Sequence, residues 1–239
     1  MVVQLNAQSL SQQDFIDLLE LLDDKVDWDF ACIQELSVMS SPWHGKDQRI
    51  KGHRLLASGR DAAIVMNKSI AGVSVDFEGD DRYGLITPPG DQEGNRKLHV
   101  LSVHFFDAGH HEQEYLDQVL LLQERVANRF RAGDRLAIGM DANVEVDPGL
   151  TPGAQYIGNG GLRRSTSRQY APRQRHFASF LEVHGIHLAN TFAREWSESE
   201  RQRFQQQKVR LPPAWDHCQW TQRQNSTGNL RRIDYIGFS

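Results

Sequence analysis

Five apolar runs along this chain each end by releasing polar residues. Val2-Val3-Gln4-Leu5 gives way to Asn6, and Phe30-Ala31-Cys32-Ile33-Gln34 to Glu35. Val100-Leu101-Ser102-Val103 leads to His104, and Leu136-Ala137-Ile138-Gly139-Met140 to Asp141-Ala142-Asn143. In Arg232-Ile233-Asp234-Tyr235-Ile236 the acid sits inside the run. Short apolar runs of this kind read as buried strands. A strand has a side-chain period of two, so Asp141 and Asn143 leave from one face of the sheet.

The rest of the pattern fills in around these strands. Ser11 caps a helix, with Asp14 three positions on and an apolar stripe of Phe15, Leu18, Leu19 and Leu22. The second strand covers Asp29 to Leu36, and residues 37–60 read as loop. Ala62 to Met66, Val73 to Phe77 and Tyr83 to Ile86 read as consecutive strands, parted by turns at Asn67-Lys68 and Gly79-Asp80-Asp81. A turn from Thr87 to Asn95 precedes a strand over Lys97 to Val103. Glu112 to Phe130 carries the strongest helical spacing, in Tyr115, Leu116, Val119, Leu120, Val126 and Phe130, and stops at Gly133-Asp134. Pro148 to Gly161 reads as a long loop, Gln174 to His184 as a helix closed by Gly185, and Ile186 to Thr191 as a strand. Ser197 to Lys208 is charged and exposed. Gln219 to Gln222 and Leu230 to Phe238 form a hairpin-like end. With no internal repeat and no linker, residues 1–239 read as one α/β domain.

A chain of 239 residues can bury a sizeable core. Its net charge of −4 does not mark the whole chain as a nucleic-acid binder. The charge is uneven, however. Arg163, Arg164, Arg168, Arg173 and Arg175 share a stretch with no acid, which is either a solvated loop or a contact to a phosphate backbone. The two cysteines, Cys32 and Cys218, exclude a disulfide framework. No run reaches membrane-spanning length and no secretory signal is visible, which excludes a membrane role and points to an intracellular site, the nucleus included. Nothing in the pattern calls for an obligate protein partner.

The strand-end residues carry the chemistry. Phosphodiester hydrolysis needs charge neutralisation on the phosphoryl oxygens, a positioned water and help for the leaving group. Glu35 and Asn6 are hard oxygen donors suited to Mg²⁺ or Mn²⁺. Asp141 suits the water, Asn143 a phosphate oxygen, and His104 the leaving oxygen. A zinc cluster on His104, His110 and His111 lacks a cysteine or acidic partner at zinc-like spacing. A serine hydrolase lacks its Gly-x-Ser-x-Gly elbow.

In order along the chain, Leu5-Asn6, Ile33-Gln34-Glu35, Ser102-Val103-His104, Gly139-Met140-Asp141-Ala142-Asn143, Trp220-Thr221 and Arg232-Ile233-Asp234-Tyr235-Ile236 resemble the endonuclease/exonuclease/phosphatase superfamily. Leu5 to Leu10 and Leu188 to Phe192 look most like its non-LTR retrotransposon endonucleases. The resemblance implies a four-layered sandwich, two mixed β-sheets flanked by helices. It implies Glu35 as metal ligand with Asn6 beside it, Asp141 and Asn143 at the water and phosphate, and His104 in the deoxyribonuclease-like acid position. Thr221 matches a support near the phosphate, and Asp234 the carboxylate that orients a second histidine. That histidine belongs to a Ser-Asp-His motif one strand further on, which this sequence does not contain. The expectation is therefore a domain incomplete at its C-terminal end, lacking its last strand and of doubtful competence. Three readings follow: a Mg²⁺-dependent phosphodiesterase acting on DNA, a phosphatase of the same fold acting on a phosphoinositide or nucleotide, and a catalytically dead module that binds nucleic acid or phosphate.

Overall fold

The computed structural model describes residues 1–7, 10–36, 47–89, 96–107, 109–144, 171–188, 222–223, 230–231 and 234–239. Among them two mixed sheets lie face to face. The first is ordered β1-β2-β5-β4-β3, from β1 (Val2–Asn6), β2 (Phe30–Gln34), β3 (Gln48–Ile50), β4 (His53–Ala57) and β5 (Ala62–Met66). The second is ordered β10-β13-β9-β8-β7-β6. Its strands are β6 (Asp76–Gly79), β7 (Tyr83–Thr87), β8 (Leu98–His104), β9 (Arg135–Asp141), β10 (His187–Leu188) and β13 (Asp234–Phe238). A separate two-stranded ribbon pairs β11 (Gln222–Arg223) with β12 (Leu230–Arg231).

Three helices complete the layers. Helix α1 (Gln12–Lys25) begins at Ser11, whose hydroxyl accepts the Asp14 N–H as its sequence predicts. It buries Phe15 and Leu19 against Ala31, Ile33, Leu55, Ala63 and Val65 of the first sheet. Helices α2 (Glu112–Arg129) and α3 (Ala171–His184) cover the outer face of the second sheet, burying Leu101, Val103, Leu136, Ile138 and Met140 with Tyr115, Val119, Phe177 and Phe180. Between the sheets lies a third cluster, with Phe30, Cys32, Leu56, Ile64, Met66, Ile86 and Val100. The four-layered order expected from the motifs is the order found.

The period of two sorts each strand onto two of these layers. In β2, Ala31 and Ile33 face α1, while Phe30, Cys32 and Gln34 face the other sheet. In β9, Leu136, Ile138 and Met140 face the helices, while Gly139 turns inward onto Cys32.

Three expectations are corrected. Residues 48–57, read as loop, form the β3–β4 hairpin. Its signal was a two-residue Lys51-Gly52 turn, with φ of 50° and 91°, the left-handed pair of a type I′ turn. The strand expected at Val73 begins at Asp76, because Val73 closes a turn back to Ile70. Leu230 to Phe238 is not one strand of a hairpin: β12 pairs with β11, whereas β13 lies between β10 and β9 in the large sheet. The loop over 148–161 and the charged stretch over 197–208 lie outside the described residues, as does Cys218.

Candidate active site

Four of the strands deliver the site because they come in two parallel pairs. The β1–β2 pair sets Asn6 across from Gln34, and β8–β9 sets His104 across from Asp141. Parallel neighbours end at the same edge of a sheet, so all four carboxyl ends meet where the two sheets face each other. The inward positions just below that edge are small or polar. Gln34, fully buried, donates its amide to Ser102 Oγ at 2.9 Å and to the Gly139 carbonyl at 3.1 Å. Gln4 donates to Gln34 Oε1 at 2.8 Å, and Ser102 Oγ to the Ile33 carbonyl at 3.1 Å. This buried polar seam ties the sheets directly beneath the site. It was not singled out in the sequence, although a glutamine inside the apolar run of β2 was its signal.

Above the seam the predicted residues converge. Asn6 Nδ2 donates to Glu35 Oε1 at 3.1 Å and to Asp141 Oδ2 at 3.0 Å. Asp141 is buried, at 1% exposure, and its Oδ2 lies 3.9 Å from His104 Nε2. Glu35, His104 and Asp141 each offer a ligand atom within 4.8 Å of the others, a grouping able to hold a metal ion. Opposite ligands of an octahedral Mg²⁺ stand about 4.2 Å apart, so the set needs little closing. The grouping offers two carboxylates, the hard donors such an ion takes, and an imidazole, and the Asn6 N–H, donated to both carboxylates, marks the point to which they turn.

Two of these residues sit in strained backbone. Glu35 has φ of 55° and Asn143 has φ of 49°. Asparagine tolerates this left-handed region, whereas a glutamate there is uncommon and raises the energy by about 1–2 kcal/mol. The fold holds Glu35 through its N–H to the Asp61 carbonyl at 2.9 Å. Asn143 turns through an Asp141-capped bend, its N–H to Asp141 Oδ1 at 3.0 Å, and its side-chain amide donates to the Phe105 carbonyl at 2.8 Å. One of its two amide hydrogens is thus committed to the protein.

Asp61 is a site residue the sequence reading missed. Its Oδ2 lies 3.9 Å from His104 Nδ1, a buried nitrogen with no hydrogen-bond partner among the described residues, and 3.6 Å from the Arg82 guanidinium. His104 thus stands between two carboxylates, Asp141 on one ring nitrogen and Asp61 on the other. Desolvation pulls its protonation below the usual range, against the opposing pull of Asp61. Asp61 opens β5 after Arg60, and nothing in its local pattern separates it from an ordinary turn acid.

The remaining candidates divide. Asp234 lies directly across from Asp141 in the β13–β9 register, so its backbone is at the site's edge. Thr221, Arg163, Arg164 and Arg168 lie outside the described residues. Arg173, of the same basic stretch, is not a solvated or phosphate-facing charge. It is 6% exposed within α3 and donates to the backbone carbonyls of Phe106, Asp107 and His110. His110 bonds Asp107 and His111 caps α2, so neither joins His104. No helix among the described residues is long and apolar enough to cross a membrane.

No family model and no curated protein matches the chain. Among solved structures it is similar to the catalytic domain of Xenopus laevis APE2, with a TM-score of 0.57 and 16% identity over 100% of this chain and 82% of that one. It is also similar to the catalytic domain of human Nocturnin with bound sulfate, with a TM-score of 0.50 and 16% identity over the same shares. The chain shares the fold of these two structures, the two-sheet sandwich that its strand-end motifs led us to expect.

Proposed function

We propose that this chain is a divalent-metal-dependent phosphodiesterase whose substrate is DNA. The reading rests above all on one observation: Asn6, Glu35, His104 and Asp141, from four strand ends far apart in sequence, meet within hydrogen-bonding or ion-pair reach at one edge of the two sheets. Four scattered polar residues gain nothing for stability by such a meeting, since like-charged carboxylates brought together repel.

Glu35, with Asn6 beside it and Asp141 opposite, would hold Mg²⁺ or Mn²⁺, and the ion would supply charge neutralisation at the phosphoryl oxygens. The other roles belong to the chain. Asp141, fixed by its bonds to Asn6 and to the Asn143 N–H, orients the attacking water and takes its proton. Asn143 turns its second amide hydrogen to a phosphoryl oxygen. As the phosphorus–oxygen bond breaks, His104 in its protonated form, which Asp61 favours against the pull of burial, passes its proton to the departing alkoxide and is left neutral. Thr221 would support the phosphate, and Asp234, whose strand pairs it with Asp141, would orient a second histidine. Arg163, Arg164 and Arg168 would follow the DNA backbone, an extended polyanion that rewards a run of guanidiniums; this is what favours DNA over a small phosphate ester.

The test is relaxation of supercoiled plasmid with Mg²⁺, alongside hydrolysis of a nucleoside monophosphate and a soluble phosphoinositide. Nicking that EDTA stops and that Asp141→Ala abolishes is expected. Turnover of the small esters alone would move the assignment to a phosphatase. Plasmid binding without cleavage of any of the three would make the chain a binding module.

A further inference from the structure

Beyond the strand ends themselves, three polar side chains on the helical layer are spent on the backbone around the site. Gln118 of α2, buried at 7% exposure, accepts the Phe106 N–H at 3.0 Å and donates to the His104 carbonyl at 3.0 Å. Tyr115, three residues earlier on the same helix face, is fully buried and donates its hydroxyl to the Ala142 carbonyl at 3.1 Å. That carbonyl belongs to the residue between Asp141 and Asn143. Arg173 of α3 donates to the Phe106 carbonyl at 3.0 Å and to those of Asp107 and His110 at 2.5 Å, with its guanidinium carbon 5.2 Å from the centre of the Tyr115 ring.

These groups act on both halves of the site at once. His104 and Asp141 end neighbouring strands, and the chain beyond each leaves the sheet ladder within a residue or two. There Phe105 N–H bonds the Asp141 carbonyl at 2.9 Å and the Asn143 amide bonds the Phe105 carbonyl at 2.8 Å. Gln118 and Tyr115 grip the two departing segments from a single rigid helix. Apolar side chains would pack this layer at least as well, because a buried amide or guanidinium is tolerated only when its hydrogen bonds are met. Here each is met by backbone of residues 104–110 or by Ala142. The arrangement serves geometry at the site.

We infer that Gln118, Tyr115 and Arg173 are positioning residues that fix His104 relative to Asp141 and Asn143 for the phosphodiester hydrolysis proposed above, on which this inference rests. None of them reaches a reacting atom. A displacement of about 1 Å at a reacting group lowers rates by up to about 100-fold, so loosening either grip lowers kcat and leaves substrate binding alone.

The variants are Gln118→Met, close in shape but unable to bond the backbone, and Tyr115→Phe, which removes only the hydroxyl. Each is assayed on supercoiled plasmid well below its melting temperature. The expected result is kcat lower by about 10- to 100-fold with KM within about twofold, and no further fall when Gln118→Met is added to His104→Ala. Wild-type kcat in both variants would overturn the inference, as would an equal further loss in the His104→Ala background. Imidazole ¹H–¹⁵N resonances give a readout without turnover: in Gln118→Met the His104 signals shift while those of His53, in the other sheet, stay. Unmoved His104 signals overturn the inference. A wild-type chain that cleaves no phosphodiester would instead overturn the proposed function, with the resonance shift still deciding the positioning role.

Discussion

Gly139 of β9 and Cys32 of β2 touch across the two sheets: a Cβ added to Gly139 would lie 2.4 Å from the Cys32 Cβ and 3.1 Å from its sulfur. A Cβ cannot swing aside as a flexible side chain would, so one sheet would have to move. Gly139→Ala is therefore expected to destabilise the chain by about 3 kcal/mol, at the upper end of overpacking penalties. Urea denaturation gives the measurement. Cys32→Gly added to it should recover part of the loss, while Cys32→Ala, which keeps the Cβ, should not. An unchanged midpoint in Gly139→Ala would mean that the sheets part freely here.

A second buried contact sets an acid limb of stability. Burial would raise the Asp134 carboxyl, but the N–H groups of Lys97 and Arg131 and the imidazole of His99 outweigh it and hold it at about 2. An unfolded aspartate titrates near about 3.9. The folded value is the lower one, so this carboxylate contributes its full stability above about pH 4 and loses it as pH falls toward about 2. Asp134→Asn should lower stability at neutral pH and flatten the decline between those values, as followed by urea midpoints against pH. Parallel acid limbs in both proteins would assign the decline to other carboxylates.

Much of this was legible in the chain. Short apolar runs located β1, β2, β5, β8 and β9, and the residues that end four of them named Asn6, Glu35, His104 and Asp141. What stayed hidden depends on tertiary partners. Asp61 reaches His104 only because Arg82 and the β5 entry bring it there, and its own neighbours carry no mark of that. Arg173 reads as one more cation in a basic stretch until α3 buries it under the Phe106–His110 segment. The β3–β4 hairpin was missed because its pattern is short and its turn rests on a single glycine.

Asp61 offers a graded test of how much a distant carboxylate contributes. At 3.9 Å from His104 Nδ1 it lies beyond hydrogen-bonding range. A carboxylate bonded directly to a catalytic imidazole contributes about 10⁴-fold. Asp61→Asn, which keeps the shape and removes the charge, should lower kcat by about 10-fold, with plasmid KM unchanged. A loss near that of a bonded triad would show that the two groups close up when substrate binds; no loss would remove Asp61 from the site.

The basic run makes a prediction that does not depend on catalysis. If Arg163, Arg164 and Arg168 follow a DNA backbone, replacing all three with glutamine should weaken binding to any duplex alike. It should also reduce the slope of log affinity against log salt by about 0.9 for each phosphate no longer neutralised. Fluorescence anisotropy with a labelled duplex from low to physiological salt provides both numbers. A slope equal to that of the wild-type chain would return the segment to a solvated loop.

Glu35 separates function from stability most cleanly. Its left-handed backbone, with φ of 55°, is unfavourable for a glutamate and acceptable for glycine. Glu35→Gly should therefore hold its stability or gain up to about 1 kcal/mol, the relief of strain being partly offset by glycine's greater freedom when unfolded. The same change removes one of the two carboxylates to which the Asn6 amide is bonded. Calorimetric titration of EDTA-treated protein with Mn²⁺ should show a weak site in the wild type and none in Glu35→Gly or Glu35→Gln, and plasmid nicking should disappear with it. A residue retained against its own backbone preference, whose loss stabilises the chain and abolishes metal binding, is held there for chemistry. Unchanged Mn²⁺ binding in Glu35→Gln would exclude Glu35 as the main ligand and shift that role to Asp141 and His104.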